Sequence, residues 1–162
     1  MNEELIKKID LKIKDELGKV DELERINSEK ALTAFIKEQI AETDFNSTTG
    51  YGYNDIGRDK IEKVYSDIFK AESALVRNQF ISGSHALNIA FFALLRPGDV
   101  LLSITGKPYD TMDEVIGLVD NPSSLKSFGI NYLQVDLVNN DFDYDKIKKV
   151  ITTTKIKVIE IQ

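Results

Sequence analysis

Phe80-Ile81-Ser82-Gly83-Ser84-His85-Ala86-Leu87-Asn88 is the stretch from which the fold reads. An apolar run of strand length, residues 75–81, ends here. A turn of small residues follows, and a helical pattern over residues 86–95 begins at once. Working outward, the alternation repeats. Residues 100–104, 132–138 and 158–161 have strand character; residues 111–119 and 144–151 have helical character. Arg96-Pro97-Gly98-Asp99 supplies the turn between the first of these helices and the next strand. Nearly continuous apolar strands alternating with helices predict an α/β fold: a mostly parallel sheet, helices on both faces, right-handed crossovers.

Upstream the character differs. From Asn2 to Glu42 nearly every residue is a good helix former, with Leu5, Ile6, Ile9, Ile13, Leu17 and Val20 at helical spacing. Asn27-Ser28 predicts a cap that starts a second helix, with Ala31, Phe35, Ile36 and Ile40 on its apolar face. So narrow a stripe on a highly charged segment predicts packing on the rest of the chain or on a partner subunit. Residues 43–55 form a polar connector rich in Gly and Tyr, and Ile61, Val64, Ile68 and Phe69 predict a helix over 57–70. The expected organisation is a helical arm over 1–45, then the first part of a larger domain over 46–162.

Composition removes whole classes of function. The 162 residues include no Cys and one His, which excludes disulfide scaffolds, Cys nucleophiles, iron–sulfur clusters and multi-histidine metal sites. With 21 basic against 27 acidic residues the chain carries a net charge of -6, the wrong balance for a nucleic-acid binder. The charged N-terminus lacks the apolar core of a secretory signal, and the most apolar window, 86–95, is about half a membrane span. A soluble, cytoplasmic protein is expected, in which the sequon Asn46-Ser47-Thr48 stays unmodified.

At the end of the first strand, the turn places the backbone N–H groups of Gly83, Ser84 and His85 where ligands of parallel sheets bind. The partial positive charge of the helix N-terminus favours an anion, and the Ser82 or Ser84 hydroxyl can donate to a phosphate. The plainer alternative is that Ser82 or Ser84 only caps the helix. A second site follows the next strand: Thr105-Gly106-Lys107-Pro108-Tyr109-Asp110-Thr111. Tyr109 either covers a flat ligand or seals the sheet edge.

Three other motifs fail. Gly106-Lys107 precedes Pro108, and Leu101 stands where a P-loop has its first glycine. Gly50-Tyr51-Gly52 lacks the third glycine of a dinucleotide fingerprint and follows no strand. Asp141-Phe142-Asp143-Tyr144-Asp145 imitates a calcium loop, but Lys146 replaces the glycine and Thr152 the bidentate glutamate. It reads as a turn whose Asp143 caps the next helix.

Taken in order, residues 50–59, 82–87 and 103–111 resemble one group across nearly the whole chain. It is the methionine gamma-lyase-like, or aluminium-resistance-type, branch of the cystathionine beta-lyase relatives, which are fold type I enzymes dependent on pyridoxal 5'-phosphate (PLP). The resemblance implies that Gly83 and Ser84, with Ser82 and His85 beside them, hold the cofactor phosphate. It implies that Tyr109 stacks on the cofactor ring, and that Tyr51 or Tyr53 shapes the site of a partner subunit in a homodimer or homotetramer. Relatives often place a Tyr-x-Arg here; this chain reads Tyr51-Gly52-Tyr53, and the nearest basic residue, Arg58, either reaches an anion or is a solvated helix residue. His85 either lines the pocket or serves as a structural hydrogen-bonding group.

The implied activity is a carbon–sulfur lyase acting on a sulfur-containing amino acid of the cystathionine, methionine or cysteine class. The lysine that carries the Schiff base, and the acid that holds the pyridinium proton, lie in the resembled family beyond Gln162. Catalytic residues are therefore not expected within these residues, and Lys107 has no such role in the family. The chain is expected to be the N-terminal portion of a longer enzyme, inactive alone. Two alternatives stay open: a non-catalytic module that binds an anion or PLP, and part of a fold type I aminotransferase.

Overall fold

Helix α1, Glu3–Lys37, runs through the predicted break at Asn27-Ser28. Both side chains are turned to neighbours on their own helix instead of capping a new one. Ser28 Oγ donates to Glu24 Oε1 at 2.6 Å, and Asn27 Oδ1 accepts from Lys30 Nζ at 3.3 Å. Exposed ion pairs one turn apart, such as Arg25 with Glu22 at 2.8 Å, support the surface and hold the Glu22 carboxyl below its ordinary range. The computed structural model describes residues 3–53 and 55–162. The expected first helical residue, Asn2, and the connector residue Asn54 lie outside them.

These residues form two compact units, residues 1–78 and 79–162. In the first, α1 ends where Gln39 turns left-handed (φ 51°) and Ile40 N–H donates to Phe35 O. A short 3-10 turn, Glu42–Phe45, leads through the connector to α2, Ile56–Phe69, which matches the predicted helix within a residue. Asp55 caps α2 by accepting from Arg58 N–H at 3.2 Å. Helices α1 and α2 pack together, Ala34 and Val64 are their buried residues, and Lys37 Nζ meets Asp67 Oδ1 at 2.5 Å. Lys60 Nζ meets Asp44 Oδ2 at 2.7 Å, and that ammonium keeps the Asp44 carboxyl below the usual range. Gly57 is obligatory here, because a Cβ would lie 1.9 Å from the Asp44 carbonyl oxygen.

The strand expected over residues 75–81 is not formed. Val76 N–H is taken by Glu62 Oε1 at 3.0 Å, and Arg77, ion-paired with Glu62, donates back to Val76 O. A turn then follows at Asn78 and Gln79. With its amide committed to a side chain, this apolar run has no ladder to join.

The second unit is built on a three-stranded parallel sheet of order β2-β1-β3, with β1 Val100–Ser103, β2 Asn131–Gln134 and β3 Val158–Glu160. Leu101 pairs with Tyr132 and Val158, and Ser103 with Gln134 and Glu160. The parallel α/β expectation holds, with five α-helices among the described residues. Helix α3, Gly83–Leu94, sends Phe91 to a core that includes Leu95, Leu101, Met112, Ile116, Leu125 and Ile130. The Arg96 guanidinium closes α3 by donating to the carbonyls of Phe92, Ala93 and Leu95.

Two further expectations shorten. Residues 111–119 are not one helix but a 3-10 turn, Asp110–Met112, and a single-turn α4, Asp113–Ile116. Gly117 ends α4 at φ 93°, and residues 124–126 fold back so that Leu125 N–H donates to Val115 O. The strand over 132–138 stops at Gln134; Val138 and Asp141 instead exchange backbone bonds across left-handed Asn139 and Asn140. Helix α5, Tyr144–Thr153, starts on the predicted Asp143 cap, which accepts from Lys146 N–H at 2.9 Å.

Candidate functional site

The site in the second unit starts from α3. Ser82 is its N-cap: the backbone is extended and the side chain accepts from His85 N–H at 3.1 Å, while Ala86 N–H donates to Ser82 O. The N–H groups of Gly83 and Ser84 precede the first helical acceptor and are left for another partner. No heavy atom lies within 4 Å of where a Gly83 side chain would begin, so the approach is open. Ser82 therefore does the capping, and Ser84 faces elsewhere. Its Oγ lies 2.7 Å from Thr111 Oγ1, which brings the α3 N-terminus to the loop that follows β1.

That loop turns sharply. Gly106 sits at φ 89°, its N–H donates to Val135 O, and its carbonyl accepts from the buried Ser103 hydroxyl at 2.6 Å. Lys107 Nζ binds Asp113 Oδ2 at 2.7 Å. Tyr109 is 64% exposed, while its N–H donates to Gln162 Oε1 at 2.7 Å. Gln162 N–H in turn donates to Thr105 Oγ1 at 3.2 Å. The structure thus ties one loop at the carboxyl edge of the sheet by two sets of hydrogen bonds, Ser84 with Thr111 and Gln162 with both Tyr109 and Thr105.

His85 is occupied locally. Its Nδ1 accepts from Ile81 N–H at 3.4 Å, and its ring stands edge-on to Phe80, 6.4 Å between centroids. Beneath the edge, Glu160 is 94% buried, and both carboxylate oxygens lack a hydrogen-bond partner; burial raises its pKa. Burial also pushes the Tyr132 phenol to about 12, partly offset by a hydrogen bond with Ser103 and reinforced by the charges of Glu160, Asp136 and Asp113. No group of three or more His, Cys, Asp or Glu among the described residues suits a metal ion.

Tyr51, Tyr53 and Arg58 belong to the first unit. The two tyrosines are more than four-fifths exposed, and Arg58 Nη1 lies 3.2 Å from the position a Gly52 Cβ would take. Arg58 borders a cavity of about 540 Å³ together with Thr48, Thr49, Gly50, Arg77 and Asn78. Sequence reading missed Thr111 and Gln162 as ties of the edge loop. Thr111 lay within a motif already singled out, whereas only the tertiary contact exposes Gln162, 53 residues beyond Tyr109.

The parallel sheet thus carries, at its carboxyl edge, the Ser82-capped N-terminus of α3 and the loop that bears Tyr109. The methionine gamma-lyase family profile matches residues 2–162, and the chain belongs to that family. Over 98% of its length it is 45% identical to the uncharacterized protein YnbB of Bacillus subtilis, covering 39% of that protein. Among solved structures it is similar to the carbon–sulfur lyase involved in aluminum resistance from Clostridium novyi NT: 42% identity, TM-score 0.90, all of this chain and 40% of that one. It is also similar to a Clostridium acetobutylicum protein provisionally described as a cystathionine beta-lyase involved in aluminum resistance: 41% identity, TM-score 0.89, 98% of this chain and 38% of that one. The chain thus spans about two fifths of the length of the relatives it matches.

Proposed function

We propose that this chain forms the phosphate-binding and ring-covering part of a PLP-dependent, fold type I carbon–sulfur lyase that acts on a sulfur-containing amino acid. The observation that carries the reading is the Ser84–Thr111 hydroxyl pair, which joins the Ser82-capped N-terminus of α3 to the loop bearing the exposed Tyr109. The residues fit the cofactor's two ends. The free N–H groups of Gly83 and Ser84 and the Ser84 hydroxyl suit a phosphate, and the open space at Gly83 lets it approach. Tyr109 supplies a flat apolar surface for a pyridine ring.

When bound, PLP supplies an electron sink for bond cleavage next to the α-carbon of an amino acid. The chain's own part is to bind and orient. Gly83 and Ser84 fix the anionic end, Ser82 keeps the helix terminus aimed, and Tyr109 shields one face from water. His85, held by Ile81 N–H and the Phe80 ring, lines the cup as a structural support. Lys107 is paired with Asp113, and the resemblance gives it no part in holding the cofactor covalently. Tyr51, Tyr53 and Arg58 shape the corresponding site of a partner copy, and the exposed stripe Leu5, Ile9, Ile13 and Leu17 serves the assembly of a homodimer or homotetramer.

The test is titration of the chain with PLP, followed by absorbance and calorimetry. Saturable binding that weakens roughly ten- to a hundredfold in Ser84→Ala is expected, the loss of about one hydrogen bond to an ionised group. Borohydride treatment of the loaded chain should leave its lysine masses unchanged. Binding that is absent, or indifferent to Ser84, would sink the proposal. Binding of phosphate as tight as that of PLP favours a plain anion module instead.

A further inference from the structure

We infer that Gln162 is a positioning residue for Tyr109, clamping the loop after β1 from the β3 side. This inference rests on the reading of Tyr109 as the ring-covering residue, and it extends that reading to a group outside the motifs.

Besides the bonds at Gly106 and Lys107, the loop from Thr105 to Thr111 is tied at three further points. At its far end Thr111 meets Ser84 of α3. At its near end the Thr105 hydroxyl accepts from Gln162 N–H. Between them the Tyr109 N–H, the group closest to the ring's own attachment, donates to Gln162 Oε1 at 2.7 Å, the shortest of the three polar links to Gln162 or Ser84 together with the hydroxyl pair. Gln162 holds the loop by both backbone and side chain. The backbone N–H of Tyr109 has no other acceptor suited to it, because Tyr109 begins the 3-10 turn as its N-cap and offers only its carbonyl to Met112. Removing the Gln162 side chain leaves that N–H to water, and the Tyr109 backbone loses its hydrogen bond to the β3 side.

The chemistry of the clamp requires an acceptor, not an amide. A glutamate at this position accepts the same N–H, whereas alanine does not. This separates positioning from packing, since the conservative variant restores the acceptor without restoring the amide donor.

The experiment compares the chain with its Gln162→Ala and Gln162→Glu variants by amide hydrogen exchange and by PLP titration. In Gln162→Ala the Tyr109 amide is expected to exchange about tenfold faster, with Leu101 and Leu102 of β1 unchanged, and PLP binding to weaken roughly threefold. Gln162→Glu is expected to restore both. Unchanged exchange at Tyr109 overturns the clamp, as does acceleration spread equally over β1, which marks general loosening. Faster exchange with unaltered PLP affinity overturns the link between clamp and ligand. If none of the three chains binds PLP, the ring-covering reading fails, and the exchange data alone decide the clamp.

Discussion

Gly57 shows how much a single missing methyl group can decide. A Cβ there would meet the Asp44 carbonyl oxygen at 1.9 Å, and a backbone atom cannot swing aside like a flexible side chain. Gly57→Ala is expected to destabilise the first unit by about 2 kcal/mol or more, read as a lower midpoint in urea. Glu160 makes the opposite case. Its buried carboxyl has no partner, and burial raises its pKa above that of the unfolded chain. The folded state therefore binds more protons between those two values, and stability falls as pH rises through that window. Glu160→Gln is expected to flatten this slope and to raise stability at neutral pH by about 1 kcal/mol; thermal melts from pH 4 to 8 check both. An unchanged slope would show that Glu160 is not the group responsible.

At the level of elements, ends were easier to read than interiors. Asp143 and the Ser82–Ser84 turn announced their helices because a short oxygen-bearing side chain before an amphipathic run has few other uses. Ser82→Ala is expected to cost about 1 kcal/mol in the melting of the second unit, and Asp143→Ala a similar amount. The misreadings share a cause. Residues 75–81 have the composition of a strand, but Glu62, far away in sequence, occupies the Val76 amide. Residues 111–119 have the period of a helix, yet Gly117 must turn left-handed to let residues 124–126 approach. Asn27 and Ser28 look like a cap until their side chains find Lys30 and Glu24 on the same helix. The candidate site divides likewise. Its turn and aromatic loop lay in continuous motifs, whereas Gln162 enters only through tertiary contact.

At the scale of the molecule, the charge of -6 sets what the chain will not approach. It is expected to pass through immobilised DNA without retention at about 0.1 M salt, because too few clustered cations exist to displace phosphate counterions. Among the described residues, no helix is long and apolar enough to cross a membrane. The edge loop has a further consequence, for folding. Its bonds join residues 27, 53 and 57 positions apart, so the loop is complete only once α3, β1 and β3 have all assembled. Such distant closures come late and slowly, after local helices have formed. A ligand that needs all three therefore has no purchase on the half-folded chain, and its binding energy is added to the finished state alone. On the proposed reading, the concentration of such a ligand would help to set how long a newly made chain survives.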